Sequence, residues 1–210
     1  MNGTMIDDMH YHENAWFTVL NEDLAAGLSM EEVKKHMYGK NEELFVRVFG
    51  KAAFTQEEIA AYSLKKEKSY QENYLPHLRL ISGLHEFLAK ASQQNIAMAI
   101  GTAANNFNVN YVLDNIPVKK YFGAIITADD VADGKPNPIV FLKCADALKV
   151  AYEDCVVFED SPKGVEAALN AGMKAVVIKT YHQENEFTHL DNVLMFVDDY
   201  TDERLERLFG

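Results

Sequence analysis

The residues best suited to chemistry in this chain stand where apolar runs end. Cys155-Val156-Val157-Phe158 leads into Glu159-Asp160-Ser161-Pro162, two adjacent carboxylates at the mouth of a very apolar segment. Neighbouring anions repel, and hard oxygen donors of this kind suit Mg²⁺. The plainer reading makes Asp160 or Ser161 the cap of a helix starting near Lys163, with Glu159 in solvent. Lys135 lies in Asp133-Gly134-Lys135-Pro136-Asn137-Pro138. Its two prolines stiffen the loop, so an ammonium can be aimed at a fixed point; otherwise it is a solvated loop lysine. Asp129 and Pro136 rule out a nucleotide-type phosphate loop around it. Gly101-Thr102-Ala103-Ala104-Asn105-Asn106 offers a hydroxyl and backbone N–H groups to an anion, or simply caps a helix. A hydroxyl, a lysine and an acid pair together are what phosphoryl transfer requires.

These residues need a scaffold that brings separated strand ends together. From His10 to about His77 apolar residues recur at three and four spacing, as in Trp16, Val19, Leu20 and Leu24, which predicts helices and no strand. From Leu84 onward the pattern alternates. Helices are expected at Leu84–Gln94, Phe107–Leu113, Ile139–Leu148, Lys163–Ala171 and Asp202–Leu208, and strands at Ile96–Ile100, Gly123–Ile126, Cys155–Phe158, Ala175–Ile178 and Leu194–Val197. Such alternation predicts an α/β fold with a doubly wound parallel sheet, whose ligands bind at the carboxyl ends of the strands.

Composition narrows the partners. The 210 residues contain 20 Lys+Arg against 32 Asp+Glu, a net charge of −12. So acidic a surface repels nucleic-acid backbones and anionic lipid, and neither is expected as a partner. A phosphorylated substrate must then be held by a local cluster of donors. Cys144 and Cys155 fall in apolar stretches and are expected as free thiols, which with the lack of a signal-like or membrane-spanning run predicts a cytoplasmic protein. A monomer is expected.

With these motifs in place, the chain resembles the haloacid dehalogenase superfamily, in its branch with a helical cap that includes β-phosphoglucomutase and phosphoglycolate-phosphatase-like enzymes. Thr102 matches the second motif of that family, Lys135 in Gly-Lys-Pro-Asn-Pro the third, and Glu159-Asp160-Ser161-Pro162-Lys163-Gly164 the acidic fourth. Met1-Asn2-Gly3-Thr4 continues the first motif, Asp-x-Asp-Gly-Thr. The resemblance implies a Rossmann-like core over 1–8 and 80–210 with an inserted helical cap over 9–79. It also implies Mg²⁺ on Glu159, Asp160 and the Asn2 carbonyl, and catalytic positions at Asn2, Thr102 and Lys135. A phosphoryl group would be bound by Gly3, Thr102, Ala103, Asn106 and Lys135, and His12 and Lys40 would be cap contacts to the substrate.

Two departures shape the functional expectation. The nucleophilic Asp of the family would align one position before Met1, so no residue here is assigned that part, and its strand is expected from an upstream or other segment. Asn2 stands where the family carries its general acid and base, and an amide cannot deliver or accept that proton. The remote phosphate site of a mutase is also thinned: Thr102-Ala103-Ala104-Asn105-Asn106 lacks a hydroxyl and a lysine, and Glu42 stands where an arginine would fall. The expectation is therefore a Mg²⁺-dependent phosphatase for a small phosphorylated metabolite. A sugar-phosphate mutase and a catalytically silent phosphate-binding protein are the alternatives. Asp7 and Asp8 are read as N-caps of the first helix or as contacts of a closing lid, and Trp16 as core.

Overall fold

The computed structural model describes all 210 residues, which divide into two compact units, Asp8–Leu78 and Met1–Asp7 with Arg79–Gly210. Asp8–Leu78 is helical, as its apolar spacing predicts. Helix α1 (Met9–Phe17) widens into a π-helical turn over Thr18–Asp23, and α2 (Met30–His36), α3 (Asn41–Phe49) and α4 (Gln56–Tyr74) follow. Ser29 and Thr55 start α2 and α4 in reciprocal capping boxes with Glu32 and Glu58. The apolar faces meet in a core of Trp16, Leu20, Val33, Leu44, Phe45 and Ile59, with Trp16 edge-on to Phe45 at 5.9 Å between ring centroids. The expected side-chain cap at Asp8 does not form, because this carboxylate turns inward instead.

The other unit alternates helices and parallel strands: α5 (Leu84–Gln93), β1 (Ala99–Gly101), α6 (Asn106–Asn115), β2 (Ala124–Ile126), α7 (Ile139–Leu148), β3 (Val156–Glu159), α8 (Pro162–Asn170), β4 (Lys174–Ile178) and β5 (Val193–Val197). Strand β1 begins three residues later than Ile96, since the Ile96 N–H is used to close α5 on Ala91 O at 3.0 Å. The final segment, Glu203–Phe209, is a 3₁₀-helix and not the expected α-helix.

The strands form two parallel sheets, β1-β2 and β3-β4-β5, where one continuous sheet is expected. Strand β1 pairs with β2 and β3 pairs with β4, so the other edge of each carries no strand. Apolar packing joins the two pieces: Val140, Phe141 and Ala145 of α7 share a core with Val157 of β3 and with Val165, Ala167 and Ala168 of α8. The small residues of α8 let its axis lie close over β3 and β4. Ser161 starts this helix, its hydroxyl accepting from Gly164 N at 3.2 Å, and Pro162 fills the first turn, where no N–H is needed. No helix is long and apolar enough to cross a membrane.

Two stability changes test this packing. Ser161→Ala removes the cap of α8 and should lower the unfolding free energy by about 1 kcal/mol in urea titration. Phe45→Ala, which empties the centre of the helical core, should cost about 3–5 kcal/mol in the same measurement.

Candidate active site

The acid pair occupies the turn between β3 and α8. Glu159 is 4% exposed and Asp160 8% exposed, so both carboxylates are out of water and need compensation. The two acids meet this need differently. Lys135 Nζ donates to Glu159 Oε1, while Glu159 Oε2 accepts from Asp160 N at 3.1 Å and from the Ser161 N–H and hydroxyl at 3.3 Å. Burial alone would raise the Glu159 carboxyl. The Lys135 ammonium, helped by the amino terminus and the Ser161 N–H, overrides it and holds Glu159 below the usual carboxylate range. Asp160 has no such ion pair: burial first, then the Glu159 charge, push it up to about 7.

Asp160 faces the N-terminal segment. Thr4 Oγ1 lies 3.5 Å from Asp160 Oδ1 and 3.3 Å from the Asn2 carbonyl oxygen, which places that carbonyl and the carboxylate around one hydroxyl. Gly3 makes the approach possible. It sits at φ +66°, and a Cβ there would fall 2.1 Å from Asp160 Oδ2. Gly164 gives Glu159 the same room, a Cβ there lying 2.1 Å from its carboxyl carbon. Thr180 Oγ1 donates to Gly3 O at 2.6 Å and fastens the turn.

Lys135 connects this edge to the other sheet. Its ammonium lies 4.8 Å over the Phe141 ring, and Phe141 borders Gly101, the residue before Thr102. Thr102 is buried, anchored by its N–H on Ile126 O at 3.0 Å, and its hydroxyl accepts from Ala104 N at 3.1 Å. It does not cap α6; Asn105 does, accepting from Asn108 N at 3.1 Å. Ala103 lies exposed in the same turn. The Asn106 N–H, expected to be available to an anion, is held by Asp129 Oδ2 at 2.8 Å, a carboxylate that sequence reasoning did not place there. The structure thus gathers Asn2, Gly3, Lys135, Glu159 and Asp160, while Thr102 follows Gly101, which borders the Phe141 ring under Lys135.

His12 and Lys40 lie in the helical unit. Lys40 is the residue before α3, its N–H on Glu43 Oε2 at 3.2 Å. His12 is part of a buried polar cluster not read from the sequence. Its Nδ1 is 2.6 Å from Lys66 Nζ, its Nε2 is 3.3 Å from Asp8 Oδ2, and its ring stacks on Tyr70 at 3.8 Å. Because an ammonium only donates, Nδ1 accepts and Nε2–H points to Asp8. Tyr70 OH donates to the same Asp8 oxygen at 2.6 Å, Lys66 reaches Glu67 at 3.0 Å, and Asn41 donates to Glu67 at 2.9 Å. Burial lowers the Lys66 ammonium below its ordinary value despite Glu67 and Asp8. The i, i+4 spacing of Asp8 with His12 and of Lys66 with Tyr70 is the signal that a reading of helix faces would have found.

The fit of Mg²⁺ rests on the donor set. Asp160 and the Asn2 carbonyl offer hard oxygens around one point, whereas both Glu159 oxygens are engaged by Lys135 and by backbone and Ser161 donors. No group of three or more His, Cys, Asp or Glu is arranged to hold a metal. Two protein oxygens suit Mg²⁺, which commonly takes few protein ligands and completes its shell with water and phosphate oxygens.

Comparison with known proteins identifies the family. Residues 1–178 match the family described as haloacid dehalogenase-like hydrolase. A fructose-1-phosphate phosphatase of Escherichia coli K12 is 30% identical over 185 residues, covering 85% of this chain and 93% of that protein. A β-phosphoglucomutase of Bacillus subtilis 168 is 29% identical over 181 residues, covering 84% and 79%. The crystal structure of a family IA, variant 3 HAD hydrolase from Entamoeba histolytica superposes with a TM-score of 0.87 at 25% identity, over 100% of this chain and 95% of that one. The chain belongs to the haloacid dehalogenase-like hydrolases, an enzyme family in which its relatives are phosphatases and phosphomutases.

Proposed function

We propose that this protein is a Mg²⁺-dependent phosphatase acting on a small phosphorylated metabolite. The observation that carries the reading is the meeting of three separated segments, Asn2–Thr4, Lys135 and Glu159–Asp160, around two buried carboxylates. Asp160 and the Asn2 carbonyl would hold Mg²⁺, which when bound neutralises phosphoryl oxygens and the adjacent acids. Lys135 and the Thr102 hydroxyl bind the phosphoryl group, with backbone N–H groups at Gly3 and Ala103. Glu159 works on Lys135: it fixes the ammonium at the edge of β3. Buried positive charge aimed at one point stabilises charge developing on a transferring phosphoryl group.

No residue of the chain is assigned the part of the attacking carboxylate in this reading. Asn2 offers no proton to the leaving group, so substrates whose alcohol departs as a stable anion are turned over best. A phosphatase is favoured over a mutase by Asp129. A mutase must seat a second phosphate, and here a carboxylate already occupies the first N–H of α6, while Glu42 stands in the first turn of α3. Both changes put negative charge where an anion would have to bind.

In a chain supplied with an Asp before Met1, Asp160→Asn should lower Mg²⁺-supported hydrolysis of p-nitrophenyl phosphate by about 10²–10³-fold, and chelation should abolish it until Mg²⁺ is returned. Lys135→Met should lose as much activity, but it also leaves Glu159 buried and unpaired at a stability cost of about 3–5 kcal/mol. The near-isosteric Asp160→Asn is therefore the decisive variant, and turnover unchanged in it removes the assignment. Gly3→Ala, whose added carbon meets the Asp160 carboxylate, should weaken Mg²⁺ binding measured by calorimetry while leaving the circular dichroism spectrum intact.

A further inference from the structure

The turn that brings the Asn2 carbonyl toward Asp160 is held from outside by three consecutive carbonyls. Gly3 O accepts from the Thr180 hydroxyl at 2.6 Å, Thr4 O from the Tyr200 hydroxyl at 3.0 Å and Met5 O from Ile81 N at 2.9 Å. A glycine at φ +66° has wide backbone freedom, so the peptide planes around Gly3 keep one orientation only where bonds fix them. Both hydroxyls come from strand ends. Thr180 lies just past β4 and Tyr200 just past β5, so all three neighbouring strands of this sheet contribute at their carboxyl ends, with the acid pair on β3. Tyr200 is itself locked. Its N–H donates to Ser82 O at 3.0 Å, its ring stacks on Phe158 at 5.5 Å between centroids, and a Cβ on Gly83 would fall 2.7 Å from its carbonyl carbon. One side chain therefore touches both β3, beside Glu159, and the turn that carries Asn2. Burial, with the charges of Asp160 and Glu159, raises the phenol above its ordinary value, so its O–H stays a donor.

We infer that Thr180 and Tyr200 are positioning residues of the cation site: by fixing the Gly3 and Thr4 carbonyls they hold the Asn2 carbonyl in the orientation it needs to share a cation with Asp160. The inference rests on the Mg²⁺ reading of that site and adds to it two residues that touch neither metal nor substrate. A Val and a Phe would fill the same space at these positions. What the hydroxyls add is the pair of bonds to the turn. Thr4 links that turn to the acid pair, its hydroxyl lying 3.3 Å from Asn2 O and 3.5 Å from Asp160 Oδ1. A tilt of the Gly3 or Thr4 peptide plane would therefore move the carbonyl and the hydroxyl together. Groups that orient metal ligands without touching the metal are typically worth about 10–100-fold in affinity.

Calorimetric titration of the 210-residue chain with Mg²⁺ tests the assignment. Thr180→Val and Tyr200→Phe should each raise the Mg²⁺ Kd by about tenfold or more, whereas Thr180→Ser, which keeps the hydroxyl, should stay within about twofold of the unchanged chain. Circular dichroism and thermal unfolding report whether each variant is folded. The two substitutions act on different carbonyls, so if one of them folds poorly the other carries the test. An unchanged Kd in the folded Val and Phe variants overturns the inference, as does an equal loss in Thr180→Ser. Asp160→Asn separates the positioning role from the metal site itself. If it abolishes Mg²⁺ binding while the two hydroxyl variants bind as before, the metal site stands and the positioning role falls. If the unchanged chain binds no Mg²⁺, or Asp160→Asn binds it as tightly, both fall.

Discussion

Two carboxylates on consecutive residues, both taken out of water at the end of β3, are the constraint around which the α/β unit is arranged. Removing either charge from solvent costs several kcal/mol, and their proximity adds repulsion. The chain answers with placement. Lys135 reaches across from the loop before α7, and the start of α8 offers N–H and hydroxyl donors to Glu159. Glycines at 3 and 164 remove the side chains that would prevent close approach. The unequal outcome matters chemically. Glu159 is fully engaged and ionised, whereas Asp160 is left with a raised proton affinity and a hydroxyl and carbonyl as neighbours. That is the state of a carboxylate suited to a cation.

The helical unit solves a similar problem with a different set of groups. Lys66 is buried on α4, and its charge is shared among Glu67, His12 and, through the imidazole, Asp8. Tyr70 and Asn41 supply the remaining donors. The stacked His12 and Tyr70 rings place the cluster against the aromatic wall that begins at Trp16, 5.4 Å below the Lys66 ammonium. A polar network of this kind specifies how α1 and α4 must register, since any slip leaves a buried charge without its partner.

The division of the sheet has a physical reading in the same terms. Helices α5 and α7 hold β1 and β3 at the border of one cavity although no strand of the 210 residues bridges them, so the positions of the two edges are set by side-chain packing and not by ladder hydrogen bonds. The core shared by α7, β3 and α8 is sufficient for that.

Much of this was legible along the chain. Apolar spacing distinguished the helical segment from the alternating one, and strand ends located Thr102, Lys135 and Glu159–Asp160, because local periodicity and composition report directly on secondary structure and on which residues end it. The same local signals misplaced the start of β1 and made an α-helix of the final turn, where hydrogen bonds to Ala91 and capping by Asp202 decide. Partner choice was not written locally. That Lys135 takes Glu159 and leaves Asp160 to Thr4, that Asp129 fills the N-terminus of α6, and that Asp8 abandons its cap for Tyr70 and His12 are outcomes of contacts between residues from 23 to 156 positions apart, Asp8 with His12 excepted. The residue types and their order along the chain therefore determined the chemistry available and the elements that carry it. Which carboxylate is paired with an ammonium and which is left without an ion pair depended on burial and distance, and these exist only once the chain is folded.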